Sequence, residues 1–469
     1  MAFLIGGANT LAADAGVANS CRFNDGDSPR HQKDFADGHD TAATISLWFK
    51  RCTNSAAQTL FECFEDASNY FRVRLESSNE LQIRDRQGGS DQLNLETSAL
   101  IRDPSAWYSL IIIIDTTDGT AADRCKVYIN GTRVTAFATE TTYGSSDTIE
   151  TGNADCTVNV GGSGGSDNYL DGYMAEVVFL DGVSQASSGF GEFDEDSPTI
   201  WKPIDVSGLT FGTNGFYLDF EASDNLGNDA NGGTDLTEVN LAATDQTTDT
   251  CTNNFATLNP LDNYLAGATL SEGNTKQVTH AGNETYNTTT IGASSGKWYC
   301  EMKHISSSGG SALTTRTMYG IADGPTIVSD SQGTGNVYIF RSDGNQFSGS
   351  TESSSWGTAW NSTGEIIGIA MDLDNNKLYF AVNGTWQNSG DPTSGATGTG
   401  ALAITADKTY FFVAGDLTGS VITNYMNFGN PLYANSSSVA DADGYGDFEY
   451  APPSGYYALC TKNLGAYGG

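Results

Sequence analysis

Short runs in which apolar and polar side chains alternate, cut by Asn, Asp and Gly, extend through this chain from residue 43 to residue 427, and no long stretch repeats at the helical period. A period of two sends successive side chains to opposite faces of a strand, so such a chain must build sheets and bury one face of each. In ATISLWFKR (residues 43–51), Ile45, Leu47 and Phe49 fall on one face and Ser46, Trp48 and Lys50 on the other. YFRVRLES and ELQIRDR follow at hairpin spacing. AWYSLIIIID (106–115) is apolar almost throughout, which predicts an interior strand covered on both faces. CKVYINGTRV (125–134) contains Asn130-Gly131, a strong hairpin signal. IIGIAMDLDNNKLYFAVNGTW (366–386) folds back across Asp-Asn-Asn and turns again at Asn383-Gly384.

Composition excludes some partners. Among 469 residues, 22 Lys and Arg stand against 57 Asp and Glu, a net charge of −35, which repels nucleic acid and anionic membrane surfaces. No stretch reaches the roughly 18 apolar residues that cross a bilayer, so membrane insertion is not expected. The start, MAFLIGGANTLAADAG, has no basic residue before its short apolar part and reads as structural rather than as a secretion signal. The eight cysteines are scattered without a CxxC and the four histidines lie far apart, which argues against zinc. Cys52 and Cys63 are spaced to face each other across a hairpin and are expected as free thiols, in keeping with cytoplasmic synthesis.

TISLWFKR, WYSLIIIIDTTDG, CKVYINGTRV and YLDGYMAEVVFLDG, in that order over about residues 20–181, resemble LamG-type, concanavalin-A-like lectin modules. GKWYCEM, GEIIGIAMDLDNNKLYFAVNG and NFGNPLY resemble SPRY domains, with Ile369, Met371 and Leu373 on one sheet surface and Leu378, Phe380 and Val382 answering them. These modules, the segment GEFDED…FGTNGFYLDF…TNNFATLNPL between them and the tail PPSGYYALCTKNL together resemble structural proteins of tailed bacteriophages, notably marine ones, over nearly the full length. The expected fold is all-β: two concanavalin-like (jelly-roll) β-sandwiches joined by a packed connector. Residues 1–188 form the LamG-like sandwich with an N-terminal docking segment, and 189–265 the connector, which is equally consistent with completing the first sandwich. Residues 266–435 form the SPRY-like sandwich and 436–469 a closing segment. The resemblance implies a virion component made in the bacterial host cytoplasm, partnered by other capsid or tail proteins. It also implies a homo-oligomer, with a trimer favoured.

The residues leave three functional classes open. The first is a fibre or spike that contacts host surface glycan: aromatic faces beside Asp or Asn groups suit sugar rings. The candidates are Trp356, Trp360, Asn361 and Trp386, and Asp167, Asn168 and Tyr169. Trp356 and Trp360 equally suit a cap on the SPRY core, and Trp48, Trp107 and Trp298 are expected to pack in or against sheets. The second is a capsid or tail decoration protein without a ligand. The third and weakest is a glycan-cleaving enzyme using Glu192, Asp194 or Glu195 of GEFDED. That segment reads as a loop and lacks the E-x-D-x-x-E spacing, so no catalysis is expected. No cofactor is required, but Ca²⁺ is open: LamG-type modules hold it at the sandwich rim, and DTTDGTAAD with Asp115, Asp118 and Asp123, and SDNYLDG with Asp167 and Asp171, offer oxygens. Glycine-rich GGSGGSD (161–167) lacks the Lys and helix of a phosphate loop and reads as a turn. Phe3, Leu4 and Ile5 of MAFLIGG are the candidate virion-docking peptide.

Overall fold

The computed structural model describes residues 4–5, 16–54, 56–165, 168–308, 316–323, 337–349, 351–360 and 362–468. Strand accounts for 44% and helix for 7%, so the chain is nearly all-β. It divides into two compact units, residues 12–252 and residues 253–469, the latter including the short N-terminal strand Leu4–Ile5.

The first unit is a sandwich of two eight-stranded sheets. One sheet runs in the order Thr132–Arg133, Cys125–Ile129, Tyr108–Asp115, Ala42–Arg51, Gly172–Asp181, Ser20–Phe23 and Gln246–Thr247, with Phe216–Leu218 also paired to Gly172–Asp181. The other runs Phe137–Thr141, Ser90–Leu100, Glu80–Gln87, Asn69–Leu75, Gln58–Asp66, Thr157–Val160, Arg30–Asp34 and Thr237–Val239. Ile45, Leu47, Phe49, Leu110, Ile112 and Ile114 face Phe71, Val73, Ile83 and Leu95 across the core. The run 106–115 is interior, as its composition predicts. Leu110, Ile112 and Ile114 enter the central core, while Ile111 and Ile113 pack outward against Phe190, Val206 and Phe211.

Those last three residues lie in the presumed connector, which therefore belongs to the first unit. Its strands Phe216–Leu218, Thr237–Val239 and Gln246–Thr247 each extend a sheet of that sandwich. The boundary falls at 252/253 rather than at 265/266, because Leu258–Leu265 already pairs with Thr285–Thr289 in the second unit.

The second unit also stacks two sheets. The seven-stranded one is Leu258–Leu265, Thr285–Thr289, Tyr410–Asp416, Thr317–Asp323, Val337–Arg341, Gln346–Ser348 and Thr351–Ser353. The nine-stranded one is centred on Ile422–Asn427, Lys297–Ser307, Ile366–Asp372 and Lys377–Val382. The long hairpin pairs Met371 with Leu378, Ile369 with Phe380 and Ile367 with Val382, and all six side chains enter the core. Asn383 and Gly384 have φ of 46° and 75°, the two left-handed residues that a two-residue hairpin turn requires. The tail is integral: Tyr457–Ala458 pairs in parallel with Lys297–Ser307, and the helix Thr461–Tyr467 closes the chain.

Candidate functional site

The segment NYFRVRLESSNELQIRDRQ alternates twice, and the structure gives that alternation a consequence. Phe71, Val73, Leu75, Leu81 and Ile83 fill the core, so Tyr70, Arg72, Arg74, Gln82, Arg84 and Arg86 are sent to the opposite face of the sheet. Cross-strand register pairs Arg72 with Arg84 and with Glu62, Arg84 with Asn94, and Asn159 with both Glu62 and Gln32. One line of polar side chains therefore crosses six strands: Gln32, Asn159, Glu62, Arg72, Arg84 and Asn94. Strands lie about 4.8 Å apart, so each group is within reach of the next.

The guanidinium groups are held by carboxylates. Arg72 Nε donates to Glu62 Oε1 at 2.6 Å, and its guanidinium carbon lies 4.3 Å from the centre of the Tyr70 ring. Arg84 donates through Nε and an Nη to the two oxygens of Asp91, both at 2.9 Å. Arg74 is paired with Glu76, and Glu96 accepts from Gln82 and Thr139, each at 2.8 Å. Glu62 is fully buried because the glycine-rich loop closes over it, with Ser163 Oγ and the Gly164 amide donating at 2.8 and 2.7 Å. Each arginine of this hairpin has a carboxylate partner on the face, Arg72 with Glu62, Arg74 with Glu76, and Arg84 and Arg86 with Asp91, in a chain that as a whole is strongly acidic. On this face Asn94 Oδ1, Arg86 Nε, Glu80 Oε2 and Thr59 Oγ1 are shielded from solvent without a hydrogen-bond partner. A buried polar atom left so costs on the order of 1–3 kcal/mol, which a ligand group can recover.

Of the residues singled out from sequence, Asn168 and Tyr169 border this face. The Tyr169 ring packs against Gly162, beside Arg30, whose Nε donates to Gln32 at 3.2 Å. Asp167 lies outside the described residues, as does Asn361. Trp360 requires a correction: it is fully buried, stacked on Tyr319 with ring centres 5.1 Å apart, and has no face to offer a sugar. Trp356 is half-buried, edge-on to Phe340 and Phe380, and Trp386 leans on Tyr379. These three tryptophans pack within the second unit, against its core and its outer aromatic cluster.

The calcium candidates do not converge either. Asp115 caps its own turn by accepting from the amide and hydroxyl of Thr117, at 3.1 and 2.6 Å. Asp118 accepts from the Thr120 amide at 2.8 Å, which holds its carboxyl below the ordinary range, and lies 3.6 Å from Lys126. Arg133 pairs with Asp123, and Asp171 is buried on another segment, where its carbonyl accepts from the Cys52 amide. Among the described residues no three His, Cys, Asp or Glu gather as a metal would require. The acids of GEFDED lie in the hairpin Gly191–Phe193 and Trp201–Pro203 and the turn that joins its strands. Asp194 caps that turn by accepting from the Asp196 and Ser197 amides, and Lys202 lies 3.3 Å from Glu192 and 3.8 Å from Asp194. Phe3 lies outside the described residues, while the backbone of Leu4 and Ile5 pairs in parallel with Ile291 and Gly292. Cys63 does not meet Cys52, which packs in a separate cluster; all eight cysteines are free thiols.

Residues 25–187 match the family model of the concanavalin A-like lectin/glucanases superfamily, so the polar face belongs to a lectin-like sandwich. No curated protein matches the chain significantly. Among solved structures, the SPRY domain of human HERC1 is similar at 14% identity and a TM-score of 0.30, over 36% of this chain and 96% of that one. A SAP-like pentraxin of Limulus polyphemus is similar at 16% identity and 0.26, over 35% and 77%. Domain 4 of AbnA, an extracellular arabinanase of Geobacillus stearothermophilus, solved with arabinotriose, is similar at 17% identity and 0.27, over 38% and 78%.

Proposed function

We propose that this protein is a non-catalytic, glycan-binding structural component of a tailed-bacteriophage particle, which presents its first sandwich to the host surface. The observation that carries the binding reading is the polar row Gln32–Asn159–Glu62–Arg72–Arg84–Asn94, with its unpaired acceptor on Asn94 and unpaired donor on Arg86. A sugar presents neighbouring hydroxyls that both donate and accept. Guanidinium groups fixed by carboxylates offer matching donors and acceptors at strand spacing, with little side-chain freedom left to lose on binding. The lectin-like family match over residues 25–187 supports the ligand class, and the motif order across the whole chain supports the particle. Oligomerisation, with a trimer as the expected state, adds avidity to weak single sites.

The test is affinity electrophoresis of the purified protein in gels containing extracted host-surface polysaccharide, with and without chelator. Wild-type protein should be retarded, and Arg72→Ala with Arg84→Ala should run freely while melting close to the wild type. If wild-type protein is never retarded, or the double variant is retarded equally, the face is not the site and a ligand-free decoration protein is the better reading.

A further inference from the structure

On the outer face of the first sheet, Lys50 and Asp249 meet although 199 residues separate them. Lys50 Nζ lies 2.7 Å from Asp249 Oδ2, and both side chains are 0% exposed. Lys50 is on the interior strand Ala42–Arg51, and Asp249 follows the edge strand Gln246–Thr247. Trp48, Trp107, Tyr173, Cys52 and Val17 form an apolar cluster around them, with Nζ 5.2 Å from the centre of the Tyr173 ring. The backbone of Asp249 is fixed on both sides: its amide donates to Thr247 Oγ1 at 3.1 Å and its carbonyl accepts from Ser20 Oγ at 2.6 Å. The second carboxyl oxygen, Oδ1, accepts from Trp107 Nε1 at 3.0 Å.

We infer that Lys50 and Asp249 condense into an intramolecular amide. In water the two groups are unreactive because ammonium has no lone pair and carboxylate is a poor electrophile. In an apolar enclosure a separated charge pair is costly, and moving one proton from Nζ to Oδ2 yields the amine and the carboxylic acid, the two reactive forms. The amine lone pair then attacks Cγ. Negative charge develops on Oδ1, where the Trp107 N–H already points, as an oxyanion donor must. A second proton passes from nitrogen to Oδ2, which leaves as water. One C–N bond forms, one C–O bond breaks, one water departs, and no oxidant or cofactor takes part. The fixed contact supplies the proximity that a bimolecular reaction lacks. Asp171 can carry the second proton. Its side chain is buried, and its carbonyl accepts from the amide of Cys52, two residues from Lys50. The product removes two buried charges and ties the end of the unit to its central strand.

Intact mass under denaturing conditions decides the matter. The full-length wild-type protein should be lighter than its sequence by one water, and a protease digest should contain a branched peptide joining the segments around Lys50 and Asp249. Lys50→Arg should have its full sequence mass, and Asp171→Asn should convert more slowly. A wild-type mass equal to the sequence, or a water loss mapped to any other position, overturns the inference. Both readouts come from the wild-type chain, so they hold even if a variant does not fold.

Discussion

His31 sits in the core of the first sandwich between Phe23 and Phe220, with ring centres 5.8 and 5.6 Å away, and neither ring nitrogen has a hydrogen-bond partner. Burial pushes its pKa down from 6.5 to about 3. A base whose folded pKa is depressed takes up its proton in the unfolded chain first, so stability falls as the pH drops below 6.5 and the loss saturates near pH 3. At 1.36 kcal/mol per unit, two units below 6.5 cost about 3 kcal/mol at pH 4.5, and the full shift costs about 5 kcal/mol. His31→Leu removes this penalty. It also removes a buried donor and a buried acceptor that have no partners, each costing on the order of 1–3 kcal/mol, so the variant should be no less stable at pH 7 and clearly more stable at pH 4.5.

The assay is urea unfolding at pH 7 and pH 4.5, following the transition that responds to the substitution. Other titrations in this unit run the opposite way. Burial raises Asp85 and Glu176 to about 7, so their protonation favours the folded chain as the pH falls from 7 towards 4. They are common to both proteins and cancel when the two pH dependences are subtracted. Equal losses in wild type and variant, within a few tenths of a kcal/mol, would show that His31 is hydrated or paired and would refute the reasoning.

Glu301, fully buried, accepts from Tyr299 Oη, Asn427 Nδ2 and the amides of Glu449 and Tyr450, and burial raises its pKa to about 7. Glu301→Gln offers one acceptor oxygen to four donors and should lower stability by about 2–4 kcal/mol in urea unfolding. It should also abolish the stability that the wild-type group gains between pH 7 and 4.5. Trp360→Ala should cost about 3–5 kcal/mol by emptying a core position, whereas Trp356→Ala should cost clearly less; equal thermal shifts would contradict the difference in burial. Gly131→Ala should destabilise the first unit, because φ is 73° and a Cβ would lie 2.2 Å from the Trp201 ring, and an unchanged melt would place that indole elsewhere.

Local pattern read the sheets well and the polar faces poorly, for one reason. Alternation over eight or ten residues states which side chains share a face, and the core then claims the apolar ones; this is why 43–51, 106–115 and the 366–382 hairpin could be placed directly. The three-residue strands Phe216–Leu218 and Thr237–Val239 are too short to show a period, so the connector's place in the first sandwich was not legible. What becomes of a polar face is decided by segments far away in sequence. Lys50 and Arg72 each follow a core phenylalanine, Phe49 and Phe71, and point to the opposite face of a strand in the same sandwich. Residues 246–252 return to cover Lys50 completely, whereas Arg72, beneath the Tyr70 ring, keeps 12% of its side chain exposed. Similar strand patterns therefore yield a sealed ion pair in one sheet and partly exposed, carboxylate-paired guanidinium groups in the other. Trp360 shows the converse: polar neighbours in SSSWGTAWNST suggest a surface loop, but Trp360 turns fully inward onto Tyr319. Only the guanidinium row has a usable sequence signal: Arg72, Arg74, Arg84 and Arg86 fall on alternate positions within fifteen residues of a chain that has 22 Lys and Arg in all. In so acidic a protein, that spacing concentrates scarce positive charge on one sheet face.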